Sequence, residues 1–106
     1  MSLKQAFKTI INMQGFDVQF QRKKATLDIT IKMAPSNYFR MGAIEEEFVS
    51  KGTEFVVAKD DLDSQSFPKP KRGDTIISTV HGNLSVTKVN EMVALGELIG
   101  YRLRCG

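Results

Sequence analysis

Two runs of alternating residues decide the fold of this chain. Residues 16–33 read Phe-Asp-Val-Gln-Phe-Gln-Arg-Lys-Lys-Ala-Thr-Leu-Asp-Ile-Thr-Ile-Lys-Met. Apolar side chains take every second position before the basic residues 22–24, and again from Ala25 onward, which is typical of two strands with one buried and one solvated face. We therefore expect an antiparallel hairpin over 16–34, with a solvated basic turn and with Pro35 ending its second strand.

The residues before this hairpin follow a helical period. Apolar residues recur at spacings of three and four and share one face of a predicted helix over 1–15: Leu3, Phe7, Ile10 and Ile11. Ser2 is suited to begin this helix and Gly15 to end it. Because so short a helix is marginal alone, we expect it to dock on the strands.

Residues 36–52, after the hairpin, match neither period. They mix aromatic residues, a glycine and the acidic triplet Glu45-Glu46-Glu47. Two interpretations stay open. The segment is either a long surface connection whose apolar residues pack locally, or an exposed arm that orders against a partner.

Strands resume over 53–106. A β-branched run at 54–58 predicts a strand, and the polar residues 59–63 predict a turn. Two prolines stiffen the connection over 67–74, which ends in an Arg-Gly-Asp turn. Residues 75–80 predict the next strand, and His81-Gly82-Asn83 a tight hairpin turn.

The last two strands are less regular. Leu84, Val86 and Val89 are out of step, which indicates a bulge after Val86. A terminal strand is predicted where Ile99, Tyr101, Leu103 and Cys105 alternate with Gly100, Arg102 and Arg104. The sequence therefore predicts a mainly β single domain over 1–106: a small antiparallel sandwich or barrel of about six strands, one N-terminal helix and a long mid-chain loop.

Composition narrows the function classes. The 106 residues include one His, one Cys and no Trp, too few for a Cys/His zinc site or an internal disulfide. No apolar run is long enough to span a membrane, and no export signal is recognised, so we expect a cytoplasmic protein without a membrane partner. Asp60-Asp61-Leu62-Asp63 lacks the spacing and glycine of a calcium loop. We expect no enzyme, no cofactor and no metal; His81 is interpreted as an exposed turn residue and Cys105 as a small buried hydrophobe.

The charges are unevenly placed along the chain. Residues 1–52 hold 8 basic and 5 acidic side chains, whereas residues 53–106 hold 7 of each, which accounts for the net charge of +3. We interpret this imbalance as a mixed, solvated surface. Lys69, Lys71 and Arg72 form a small basic turn, which is either solvated or a contact for an acidic or nucleic-acid surface.

The second half of the chain resembles a known family. Four stretches carry the resemblance: Glu54-Phe-Val-Val-Ala-Lys-Asp-Asp-Leu62, the basic entry Pro68-Lys-Pro-Lys-Arg-Gly-Asp-Thr-Ile76, the glycine turn at Gly82 and the last strand Gly96-Glu-Leu-Ile-Gly-Tyr-Arg-Leu-Arg104. They are similar to the head–tail joining proteins of long-tailed bacteriophages, with the small joining protein of phage lambda as prototype. The N-terminal helix, hairpin and mid-chain loop match this family's layout. After the glycine turn the chain has Leu84 and Val86 and no Trp.

The resemblance implies a phage or prophage structural protein that acts in virion assembly without catalysis. Its partners would be portal or head-completion proteins and tail proteins, and DNA would meet it only incidentally in the channel. The protein would join a ring at the head–tail junction of the virion, after assembly in the bacterial cytoplasm, and could be monomeric when free.

We expect the assembly contacts on the mid-chain loop and the basic turn, since aromatic residues and arginine anchor interfaces well. They are Tyr38, Phe39, Arg40, Met41, Glu45, Glu46, Glu47, Lys69, Lys71 and Arg72. Two alternatives stay open: another phage tail-end or tail-completion protein, and a small β-barrel that binds nucleic acid with salt-sensitive affinity. An enzyme would need a pocket of carboxylates that the sequence does not mark.

Overall fold

The strands close into one antiparallel barrel. A computed structural model describes residues 3–35, 53–79 and 82–106. The strand order around the barrel is β1-β2-β3-β6-β5-β4. The elements are α1 Leu3–Gln14, β1 Phe16–Arg22, a 3₁₀ turn Lys23–Ala25, β2 Leu27–Pro35, β3 Thr53–Ala58, α2 Lys59–Ser64, β4 Thr75–Ser78, β5 Gly82–Ala94 and β6 Glu97–Cys105. The prediction of a mainly β fold with six strands and an N-terminal helix is confirmed.

The first hairpin has the predicted register. Phe16 lies opposite Met33 and Phe20 opposite Ile29, so the apolar series of β1 and β2 face the same side of the sheet. Ala25 departs from the prediction, because it is exposed in the 3₁₀ turn and β2 begins two residues later. The alternation of buried residues therefore restarts at Leu27.

The barrel interior is filled by the inward series of all six strands and by two residues that follow β3. Its buried members are Val18, Phe20, Ile31, Met33, Phe55, Val57, Leu62, Phe67, Ile76, Val86, Tyr101, Leu103 and Cys105. Phe20, Phe55 and Leu103 are completely buried. Burial of this apolar surface is the main favourable contribution to folding.

Helix α1 covers the outer face of β3. Phe7 and Ile11 pack with Ala34, Val56 and Ala58 in a second buried cluster. Strand β3 is therefore buried on both faces, which explains why its sequence is continuously apolar. Ile10, predicted on the docking face, is 43% exposed. Among the described side chains of α1, Phe7 and Ile11 are buried as predicted, whereas Ile10 lies outside the buried stripe.

Gly15 ends α1 for a steric reason. Its N–H donates to the Ile11 carbonyl oxygen at 2.7 Å. A Cβ at this position would lie 2.6 Å from the Met33 carbonyl oxygen, so only glycine lets the helix end pass this close to β2.

The polar turn predicted at 59–63 is wrong, because these residues form helix α2. Leu62 is 1% exposed and anchors the helix to the barrel interior. Lys59 and Asp63 form an i,i+4 ion pair at 2.6 Å, and this hydrogen bond raises the pKa of Lys59. A single buried residue among polar ones gave too weak a period to predict the helix.

The irregularity predicted in β5 is confirmed. The pairing with β6 passes from Val86 opposite Cys105 to Lys88 opposite Arg104, so Thr87 is the extra residue. The predicted β4–β5 hairpin is also confirmed, although Gly82 and Asn83 already pair with β4. His81 lies outside the described residues. Strand β5 continues to Ala94, further than its sequence pattern indicates.

Candidate functional site

A buried ion pair joins the first hairpin to the connection before β4. Arg22 Nε donates to Asp74 Oδ1 and Arg22 Nη2 to Asp74 Oδ2, both at 2.9 Å. Asp74 Oδ2 also accepts the backbone N–H of Lys71 at 2.8 Å. The side chains of Arg22 and Asp74 are 13% and 3% exposed. We call this contact the Arg22–Asp74 joint; it links residues that are far apart in sequence by a bidentate, charge-assisted contact.

The joint also fixes the loop that precedes it. Arg22 Nη2 donates to the Lys69 carbonyl oxygen at 2.7 Å, and the guanidinium lies 5.3 Å from the centre of the Phe67 ring. That ring stacks on Phe20 with 4.6 Å between centroids. The hydrogen bonds that Arg22 donates to the Asp74 carboxylate raise the pKa of Arg22. The prediction that Arg22 belongs to a solvated turn is therefore wrong, because its guanidinium is paired with Asp74 and largely buried.

The Arg-Gly-Asp turn is confirmed as an entry to β4. Gly73 adopts a φ of +97°, a conformation that glycine tolerates best. Gly73 N–H donates to the Val86 carbonyl oxygen, and the Asp74 carbonyl oxygen accepts the Val86 N–H, each at 2.8 Å. The turn is thus tied to β5 by backbone and to β1 by the Asp74 carboxylate.

A concave surface lies beside the joint. Its lining comes from Arg22–Ala25 and from Lys71–Asp74, and it encloses about 640 Å³. Lys23, Lys24, Lys71 and Arg72 are all exposed along it. We call this surface the basic depression. It brings cations of the first half of the chain together with cations of the second, so the division of charge by halves does not describe the folded surface.

The three residues of the predicted basic turn do not share one environment. Lys71 and Arg72 line the basic depression, whereas Lys69 Nζ pairs with Glu91 Oε2 at 3.0 Å. Lys23 and Lys24 were not predicted as contact residues. The signal was present, since both segments are basic, but their proximity depends on a pairing between residues 22 and 74 that no local pattern specifies.

A second feature is the tip of the β5–β6 hairpin, residues 93–96. Leu95 is 92% exposed and has a φ of +52°, next to Gly96 with a φ of +78°. Val93, just before it, is 59% exposed. Strand β4 pairs with β5 only at Gly82–Ser85, so the later part of the hairpin extends past that neighbour. We call residues 93–96 the hairpin tip.

The hairpin tip is attached to the barrel through an irregular pairing. Met92 faces Gly100 and Val93 faces Leu98, so Ile99 has no partner across the hairpin. This displacement turns Ile99 toward the cluster under α1, together with Met92 and Ala94. The base of the hairpin is therefore packed, while the side chains of Val93 and Leu95 are left in solvent.

The other predicted site residues fall elsewhere. Tyr38, Phe39, Arg40, Met41, Glu45, Glu46 and Glu47 lie outside the described residues, as does the whole predicted arm at 36–52. Cys105 is 1% exposed, in agreement with its interpretation as a small buried hydrophobe, and burial raises the pKa of its thiol to about 11. In the described part of the chain, no three His, Cys, Asp or Glu side chains are grouped as a metal site.

Neither α1 nor α2, nor any other helical segment within the described ranges, has the length and apolar character to cross a bilayer.

No protein-family model matches this chain, and no curated protein matches it at a significant level.

Proposed function

We propose that this chain is a phage or prophage connector that joins heads to tails during virion assembly, by protein–protein binding and without catalysis. The proposal combines the family resemblance of the second half with the surfaces of the folded barrel. Another phage tail-end or tail-completion role would use the same kind of protein–protein contact at a neighbouring position in the virion.

Leu95 is the observation that carries the proposal. A leucine that is 92% exposed gains nothing from burial, and at φ +52° it takes a backbone conformation suited to Asn or Gly. The residue is thus unfavourable for the isolated fold in two independent ways. A residue that is unfavourable for the fold is expected where function determines the choice of residue. An exposed apolar side chain on a hairpin is suited to fill a pocket on a partner protein.

The rest of the barrel supplies rigidity. The hairpin tip grows from β5 and β6, which form the most extensive strand pairing of the barrel, and its base is packed against α1 through Met92 and Ala94. A contact presented on a rigid element loses little conformational freedom on binding. This arrangement favours an assembly contact over a catalytic site.

Complementation in vitro tests the proposal. The gene is deleted from the phage or prophage that carries it, the lysate is examined by electron microscopy, and purified protein is then added. We expect DNA-filled heads and free tails in the deletion lysate, and infectious, joined particles after addition. Complete virions in the deletion lysate would overturn the proposal.

The mid-chain segment provides a second arm of the same experiment. Deleting residues 38–47 removes the predicted aromatic and acidic contacts. We expect the shortened protein to leave heads and tails separate, and urea unfolding of the shortened protein shows that it is folded. Joining at the full yield would remove this segment from the contact surface.

A nucleic-acid-binding module is the second candidate, and the basic depression favours it. Its lining of residues 22–25 and 71–74 includes no aromatic side chain on which a base could stack. Retention of DNA on a filter at low salt, lost as salt is raised, would support this candidate.

A further inference from the structure

We propose that the basic depression binds an acidic peptide segment of a partner protein, through consecutive carboxylates that pair with Lys23, Lys24, Lys71 and Arg72. This inference deepens the proposed connector function, on which it rests, by naming the chemistry of one partner surface.

The argument begins with how the described charges are used. Each described carboxylate has a side-chain nitrogen partner within the fold. Eight are in ion pairs: Asp17, Glu54, Asp60, Asp61, Asp63, Asp74, Glu91 and Glu97. The ninth, Asp28, accepts a hydrogen bond from Gln21 Nε2 at 3.1 Å. The described carboxylates are therefore already occupied.

The cations are not balanced in the same way. Seven of the described lysines and arginines take part in those ion pairs. Within residues 3–35, 53–79 and 82–106, no carboxylate lies within ion-pair distance of Lys23, Lys24, Lys71 or Arg72. These four residues line one depression. Two further described cations without an ion pair, Lys88 and Arg102, lie outside this lining. Four of the six unpaired cations of the described residues are thus gathered around one depression and face solvent.

The depression is also rigid. Lys23 and Lys24 project from a 3₁₀ turn, and Lys71 and Arg72 from the turn before β4. The Arg22–Asp74 joint ties these two turns together at 2.9 Å. The backbone positions of the four cations are therefore set before a ligand arrives, which lowers the entropic cost of binding.

Shape and lining favour a peptide over a nucleic acid. A concavity of about 640 Å³ matches the volume of a few side chains. Its lining residues offer cations but no ring for a base, and the nearby Phe67 ring is covered by the Arg22 guanidinium. Several carboxylates carried on one short segment complement the charge of four cations arranged around one hollow.

Fluorescence anisotropy at low salt tests the inference on the purified full chain. The probe is a labelled peptide, Gly-Ser-Glu-Glu-Glu-Glu-Ser-Gly, and its counterpart has Gln in place of every Glu. We expect binding of the Glu peptide only, weakening as salt is raised. The double variant Lys24→Gln/Lys71→Gln should bind it about five- to tenfold less tightly, while the control Lys32→Gln/Lys88→Gln, with the same loss of charge, should stay within about twofold.

Several outcomes would overturn the inference. These are equal binding of the Glu and Gln peptides, equal loss in the two double variants, tighter binding of a DNA duplex than of the Glu peptide, or self-association that depends on Lys24 and Lys71. Urea unfolding of both variants shows that they are folded. Peptide binding without head–tail joining would instead overturn the connector function and leave this assignment standing.

Discussion

The Arg22–Asp74 joint and the hairpin tip reverse the usual placement of side chains. At the joint, two charged residues are withdrawn from water and satisfied by each other, with Asp74 only 3% exposed. At the tip, the apolar Leu95 is 92% exposed. The paired charges of the joint hold two parts of the fold together, whereas the exposed leucine of the tip contributes no burial to the stability of the fold. The difference separates residues that the fold needs from residues that remain free for a partner.

The largest expected effect is at the joint. Asp74→Ala removes the carboxylate that accepts from the Arg22 guanidinium and from the Lys71 N–H in a largely buried place, while Arg22 keeps the Lys69 carbonyl oxygen as its acceptor. We expect a loss of about 3 kcal/mol in the free energy of unfolding, measured in urea. Asp28→Ala is the matched control, since Asp28 is exposed and has one hydrogen bond, and it should cost under about 1 kcal/mol. Equal costs for the two variants would contradict the structural role of the joint.

The next effect concerns the barrel interior close to the joint, where Val86 lies opposite Cys105. Burial raises the pKa of the Cys105 thiol from 9.0 to about 11. Between these values the unfolded chain loses the thiol proton and the folded chain keeps it, so stability falls as pH rises. Relative to Cys105→Ala, the wild-type chain should lose about 2 kcal/mol between pH 8 and 11.

The comparison is made by urea unfolding of both proteins at each pH, because the two chains differ only in the Cys105 side chain. A constant difference between the wild type and Cys105→Ala would mean that water reaches the thiol and that this part of the barrel is not dry.

The smallest effect is at the hairpin tip and has the opposite sign. Leu95→Asn places a residue suited to positive φ before Gly96 and removes an exposed apolar side chain. We expect the variant to be more stable by roughly 0.5–1 kcal/mol, seen as a higher midpoint of unfolding. Thr26→Asn is the control, since Thr26 has a φ of 53° in another exposed turn and should respond alike. A clear loss of stability in Leu95→Asn alone would show that Leu95 supports the fold.

The sequence predicted the barrel better than the site. Alternation at 16–21 and at 27–33 and a compact apolar run at 54–58 report directly on burial, so β1, β2 and β3 are predicted with nearly their true bounds. Helix α2 was missed because Leu62 is its one buried residue. The extension of β5 was missed because its later residues are half-exposed and no longer alternate.

The site depends on contacts that local patterns do not contain. The Arg-Gly-Asp turn was predicted, but nothing near Asp74 in sequence indicates that its partner is Arg22. Without that pairing, Lys23 and Lys24 read as an ordinary solvated turn. The conformation of Leu95 was likewise hidden, since a leucine before glycine gives no turn signal of the strength of Asn-Gly.

The central claim concerns exposed side chains, such as Leu95, that the barrel does not need for its stability. We propose that these side chains act in joining heads to tails. Its most direct test adds purified Leu95→Asn protein to the deletion lysate, beside wild type and Thr26→Asn at the same concentration. We predict that Leu95→Asn, although more stable, restores less than about a tenth of the joined particles, as expected when an interface loses a central anchor, while Thr26→Asn restores the full number. Full joining by Leu95→Asn would contradict the account.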